Sequence, residues 1–182
     1  MEGDFLYMRK FTVIILIVIT LIFLNSCKQG GFMIIKDNDH QKAQELIETV
    51  LKAIQNEDDK KLKSLFSRTT LNQLQSYEES VDELFNYFNG SVKSFDDGAG
   101  PFVETKKEDN LVFQLMESSF TVKTDVCEYR FAMQYITQGH TENIGITSLY
   151  VIRTTDDENL DYMYWGDGKF TPGIHIAVPN VI

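Results

Sequence analysis

The spacing of apolar residues takes three successive characters along the chain. From Phe11 to Leu24 the residues are almost all apolar with no period, a run of fourteen closed by Asn25-Ser26-Cys27-Lys28. After Asn38 the period becomes helical. Ala43, Leu46, Ile47, Val50, Leu51 and Ile54 recur at three- and four-residue steps and predict one continuous stripe, with Asn38 or Asp39 as cap and Gln41 in capping-box position. A short second helix follows, capped by Asp58 or Asp59 and burying Leu62, Leu65 and Phe66. The third is predicted from about Thr70 to Asn89, with Leu74, Tyr77, Val81, Leu84, Phe85 and Phe88 inward and Gly90 as its C′ residue. All three lie in the N-terminal half.

Beyond Gly90 the period drops to two. The alternation predicts strands over 91–95, 102–106, 111–123, 127–137, 144–154 and 173–178, and Asp96-Asp97-Gly98-Ala99-Gly100-Pro101 is expected to be a turn. Short connections between alternating strands imply antiparallel neighbours. Helices first and a meander afterwards give an α+β domain, with one sheet face against the helices and the other wetter.

The apolar run at the start bears on location. A spanning helix needs about 20 apolar residues, and a run of 10 to 14 is the length of a signal core. Arg9 and Lys10 precede it and Ser26 stands at the cut position. The order Leu24-Asn25-Ser26-Cys27 resembles a bacterial lipobox, which implies a diacylglyceryl group on Cys27 and a palmitate-type anchor. The expected organisation is a signal peptide over 1–26, a lipidated cysteine and tether over 27–37, and one domain over 38–182. Glu2 and Asp4 sit oddly before a positive pair, which leaves Met8 as an alternative start. The tether carries Gly30-Gly31 and reaches on the order of 30 Å when extended. The domain is thus expected at the extracytoplasmic face of the cell membrane.

Charge narrows the partners. Cleavage before Cys27 removes Glu2, Asp4, Arg9 and Lys10 together, so the net charge stays at −10. That balance disfavours nucleic acid, whose binding needs clustered Lys and Arg to displace counterions. Lys60-Lys61-Leu62-Lys63 is the one basic run, and it reads as a solvated helix face. Cys127, alternating with Tyr129, Phe131, Met133 and Tyr135, reads as a small buried hydrophobe.

The runs Leu51-Lys52-Ala53-Ile54-Gln55-Asn56-Glu57-Asp58, Leu65-Phe66-Ser67 and Asp82-Glu83-Leu84-Phe85 resemble the nuclear-transport-factor-2-like (cystatin-like) cone fold. With the lipobox, Ile144-Gly145-Ile146, Trp165-Gly166 and Pro172-Gly173-Ile174, the chain is similar to an uncharacterised family of small bacterial lipoproteins of that fold. The resemblance implies a strongly bent antiparallel sheet around a long helix, enclosing a cone-shaped cavity. It brings no catalytic residue set.

Direct inspection for chemistry yields cavity candidates rather than a constellation. Enzymes of the cone fold place a carboxylate or histidine beside tyrosine in an apolar setting that tunes its pKa. The residues that fit a cavity wall here are Tyr129, Tyr135, Tyr150, Trp165 and His175, with Tyr162 and Tyr164 as further aromatics. His40, His140 and His175 are too widely spaced for a zinc pattern, and Asp96-Asp97 and Asp156-Asp157-Glu158 do not match a calcium loop, so no metal and no cofactor are expected. The reading is a membrane-tethered, non-catalytic module that binds a small ligand or a protein. Two alternatives stand beside it: a small isomerase, dehydratase or hydrolase using the cone, and an immunity- or scaffold-type lipoprotein. In the latter the outer sheet face, with Glu128, Arg130 and Gln134, would meet a partner or a second copy as a homodimer.

Overall fold

The stripe that begins near Ala43 is helical in the computed structural model, which describes residues 37–108, 111–156 and 170–176. Helix α1 spans Asp37–Gln55 and buries Ala43, Ile47, Val50, Leu51 and Ile54. It begins ahead of its expected caps, so Asn38 and Asp39 lie inside its first turn. Helix α2, Asp59–Leu65, is capped by Asp58, whose carboxylate accepts from Lys61 N at 2.8 Å, and it buries Leu62. The single helix expected over 70–89 is instead two. Helix α3 is Arg68–Gln73, capped by Ser67, whose Oγ accepts from Thr70 N at 3.0 Å. Helix α4 is Tyr77–Tyr87 and buries Tyr77, Val81 and Leu84. The break lies at Leu74, which turns extended and packs against the backbone at Gly173. Ser76 restarts the helix, with Glu78 and Glu79 in a first turn where negative charge suits the helix dipole. Phe88 is the C-cap, so Gly90 lies one residue beyond the C′ place expected for it.

Five strands form one sheet in the order β1-β2-β3-β4-β5: Val92–Glu108, Leu111–Thr124, Glu128–Gln138, Gly145–Arg153 and Gly173–Ile176. The sheet is mostly antiparallel. The expectation of antiparallel neighbours throughout fails at β5, which runs parallel to β4. The cause is the connection from Thr154 to Pro172, long enough for a crossover where a short loop is not. The expected strands 91–95 and 102–106 are one strand. The supposed turn between them is β1 itself, bent by register shifts at Asp97/Ala99 and Ala99/Phe102 that let Gly100 adopt φ +97°. Glycines at a bulge mimic a turn in sequence. Helical turns are not confined to the first half either, since 3₁₀ turns occupy Thr141–Asn143 and Thr154–Asp156. Residues 177–178 of the expected last strand lie outside the described residues.

The helices cover one face of this sheet. Met116, Phe120 and Val122 of β2, Tyr129, Phe131 and Met133 of β3, and Leu149 and Val151 of β4 alternate onto that inner face and join α1, α2 and α4 in one buried cluster. A backbone seam fixes the helices to the sheet: Ser67 N donates to Ile146 O at 3.0 Å, and Phe66 and Ile146 form an isolated parallel bridge. Gly145 makes the seam possible. At φ +127°, a Cβ there would lie 2.7 Å from Ser67 N and 2.8 Å from Leu65 O. Among the described residues no helix is long and apolar enough to cross a membrane. Gly145→Ala should therefore cost roughly 1–3 kcal/mol, the range for a residue forced into a sparsely populated backbone region. Urea unfolding should show a lower midpoint at unchanged slope; an unchanged midpoint would mean that the seam can open without penalty.

Candidate functional site

The two sheet faces divide the residues singled out from sequence. Tyr129 and Tyr135 lie on the inner face, in step with Phe131 and Met133. Tyr150 and His175 lie opposite one another on the outer face, in the row that runs through Ala132. Trp165 and Cys27 lie outside the described residues. The four described candidates therefore do not line one space.

Tyr129 is tied into the end of a helix. Its hydroxyl donates to Tyr87 O at 3.0 Å and accepts from Asn89 N at 2.6 Å. Tyr87 closes α4, so its carbonyl has no partner within the helix. Arg153 supplies a second donor to it, Nη2 at 2.9 Å, and lays its guanidinium 4.4 Å from the Tyr87 ring centre. The Tyr87 hydroxyl accepts from Arg153 N at 2.8 Å and donates to Asp156 Oδ2 at 2.8 Å. A cation and a phenol thus satisfy the helix C-terminus, where positive charge is favourable. Beside this knot Cys127 is a free thiol, half-buried against the core and lying in the β2–β3 turn one residue before the strand expected to hold it, and its N–H donates to Thr124 Oγ1 at 3.0 Å.

Tyr135 faces a different group. Its hydroxyl and Ser118 Oγ are both buried and have no hydrogen-bond partner among the described residues. Burial pushes the Tyr135 phenol up to about 12; the negative charge of Asp39 adds to this, while Ser118, close by but without a well-formed bond, opposes it. Asp39 is 1% exposed, with Lys42 Nζ at 3.2 Å. A buried carboxylate whose charge reaches a buried phenol is a second polar grouping on the inner face. Reading Asp39 as a cap concealed it from sequence analysis. Its position four residues before Ala43, on the buried stripe, was the signal.

On the outer face Tyr150 and His175 stack with ring centres 4.4 Å apart. Both engage the same residue: Tyr150 Oη accepts from Thr171 N at 2.8 Å, and His175 Nε2, as the protonated nitrogen, donates to Thr171 O at 2.8 Å. The pair thereby anchors the approach to β5. A groove of about 270 Å³ opens elsewhere on this side, lined by Phe113, Gln114, Leu115 and Ile136 with Glu104 and Lys106 on its rim. The two rim side chains form an ion pair at 3.1 Å. His140 packs edge-on to Phe113. Sequence analysis missed the groove because its walls come from three strands, and half-buried apolar residues on a wetter face carry no distinguishing period. Among the described residues no three His, Cys, Asp or Glu side chains gather as a metal site.

A family described as a domain of unknown function, DUF5104, matches residues 49–154, more than half of the chain. The matched segment runs from the second half of α1 to the end of β4 and contains every groove residue; Asp39 and His175 fall outside it. No curated protein matches the chain.

Four tyrosines between the helices and the sheet give a pH signature. Burial raises the phenols of Tyr77, Tyr87, Tyr129 and Tyr135 above their ordinary value. A group whose pKa is raised in the fold holds its proton longer there than in the unfolded chain, so its stabilising contribution is complete below about pH 10 and is lost as pH rises past it. Thermal unfolding should shift steadily down from about pH 10 to 12. A midpoint constant across that window would contradict the burial of these phenols.

Proposed function

The chain belongs to the DUF5104 family, and we propose that it is a membrane-tethered lipoprotein whose single domain, a cone of the nuclear-transport-factor-2-like kind, binds a small ligand or a partner's side chain without catalysing a reaction. The observation that carries this reading is the outer-face groove. The helix-covered face is filled by side chains such as Met116, Phe120 and Phe131, each at most 2% exposed, whereas the groove leaves Phe113, Leu115 and Ile136 half-exposed around open space. Its volume lies just below the range of roughly 300–1,000 Å³ usual for small-molecule sites. That suits a compact, largely apolar group. The Glu104–Lys106 pair at the rim offers such a group one acceptor and one donor for orientation. The lipobox at Leu24-Asn25-Ser26-Cys27 supports the tether, and the diacyl group it implies matters because a single acyl chain binds membranes only marginally.

A second reading rests on Asp39, Tyr135 and Ser118. A buried carboxylate beside a phenol of raised pKa is the arrangement that the cone-fold isomerases and dehydratases use, so a small enzyme working on the inner face is the alternative.

Mutation separates the two. Protein extracted from its host's membranes should carry a noncovalent adduct in native mass spectrometry, lost in Leu115→Asn and Ile136→Asn and kept in Asp39→Asn. The reverse pattern would transfer the site to the inner face, and a bare protein would remove the ligand-binding reading. The tether has its own test. Cys27→Ser should release the protein from membranes or leave the precursor uncleaved; unchanged membrane fractionation of a cleaved, lipid-free product would sink the lipid anchor.

A further inference from the structure

β1 stands at one edge of the sheet, and among the described residues no strand pairs with its other side. Exposed edges invite pairing with further strands, and proteins commonly blunt them with bulges and twist. The first half of β1 is blunted in this way, with register shifts at Val92/Ser94, Asp97/Ala99 and Ala99/Phe102. The second half is not. From Phe102 to Glu108 it pairs residue for residue with Glu117 to Leu111 of β2 without a shift. Those seven residues present a regular row of backbone donors and acceptors on the open side.

The charges along this row are self-complementary. We propose that a second copy of the chain adds its own β1 here, antiparallel, about a two-fold axis at Thr105, to give a continuous ten-stranded sheet. With Thr105 facing Thr105 of the second copy, Glu104 lies directly opposite Lys106 of the second copy, and Lys106 opposite Glu104 of the second copy. Directly opposed residues share a sheet face with Cβ atoms about 4.5–5.5 Å apart, so both cross-strand ion pairs form on the outer side. Each replaces the exposed Glu104–Lys106 pair within one strand. The location also suits an acidic protein. A chain of net charge −10 repels its own copies, but Glu104, Lys106, Lys107 and Glu108 balance within this stretch, making it a neutral approach on an otherwise negative molecule. The outer-face groups weighed from sequence are less suited: Gln134 Nε2 already donates to Glu117 Oε1 at 2.9 Å, and Glu128 pairs with Lys123 at 3.3 Å.

This inference shares Glu104 and Lys106 with the rim of the groove, but its readout is mass rather than retained adduct, so either can fail without the other. The test is sedimentation equilibrium of the full chain in density-matched non-ionic detergent. The wild type should reach twice the protomer mass. Glu104→Lys alone and Lys106→Glu alone each set like charges opposite one another twice and should raise the dissociation constant at least about tenfold. The combined swap, Glu104→Lys with Lys106→Glu, restores opposite charges and should return the wild-type mass. Both side chains are exposed, so far-UV circular dichroism should be unchanged in all three variants. A wild type that stays monomeric, a dimer indifferent to the single swaps, a combined swap that fails to restore association, or a protomer whose β1 is occupied by a different protein would each overturn the proposal.

Discussion

Ile47, Val50 and Leu62 have no solvent exposure, and neither do Met116, Phe131, Met133 and Leu149 on the strands they join in the core. Each such side chain contributes on the order of 1.5–3 kcal/mol when fully buried, and all of them lie on one side of the sheet. That one-sidedness is the constraint from which the remaining architecture follows. It requires period-two alternation along β2 and β3. It requires a helical stripe on α1 that gives Ala43, Ile47, Val50, Leu51 and Ile54 to the same core. It also fixes the seam at Gly145, because α2 and α3 can lie over the sheet only where a residue without Cβ lets Ser67 reach Ile146.

The same constraint governs where polar groups can go. At the end of α4 a carbonyl turned into the core is satisfied by Tyr129 and Arg153, so these residues complete the helix instead of offering themselves to a ligand. Tyr150 and His175 are likewise spent on Thr171. Among the described residues, what remains open is the groove on the outer face and the β1 edge beside it. Glu104 and Lys106 belong to both. Strand addition at β1 would extend the outer face past the groove's rim without filling its floor at Phe113 and Leu115.

Much of this was legible because burial imposes a period. The stripe from Ala43 to Ile54 and the strands β2, β3 and β4 follow directly from spacing, and the cap at Asp58 is one of the two residues offered for it. Failures occurred where tertiary contacts overrode local signals. Leu74 fits a helical stripe but is held extended beside Gly173, a contact about a hundred residues away in sequence. Gly98 and Gly100 read as turn residues, yet pairing with β2 retains them in a bulged strand. The parallel placement of β5 depends on where a long connection crosses, which residue period does not encode. The candidate sites suffered similarly: alternation marked Tyr129, Tyr135, Tyr150 and His175 as strand residues but could not show that they divide between two faces.

Asp39 poses the remaining physical question, because a carboxylate at 1% exposure should be costly. Two features reduce that cost. It sits in the first turn of α1, where the helix dipole favours negative charge, and Lys42 lies 3.2 Å away on the next turn. The carboxylate alone is therefore weak grounds for chemistry. The buried hydroxyls of Tyr135 and Ser118 are harder to explain structurally. Each buried, unpaired hydroxyl costs about 1–3 kcal/mol, and Phe in place of Tyr135 and Ala in place of Ser118 would suit an apolar core better. Ser118 lies close enough to oppose the rise in the Tyr135 phenol, so the two hydroxyls offset part of each other's burial cost. Polar groups on this face thus sit where a neighbouring polar group, Lys42 for Asp39 and Ser118 for Tyr135, shares the cost of their burial.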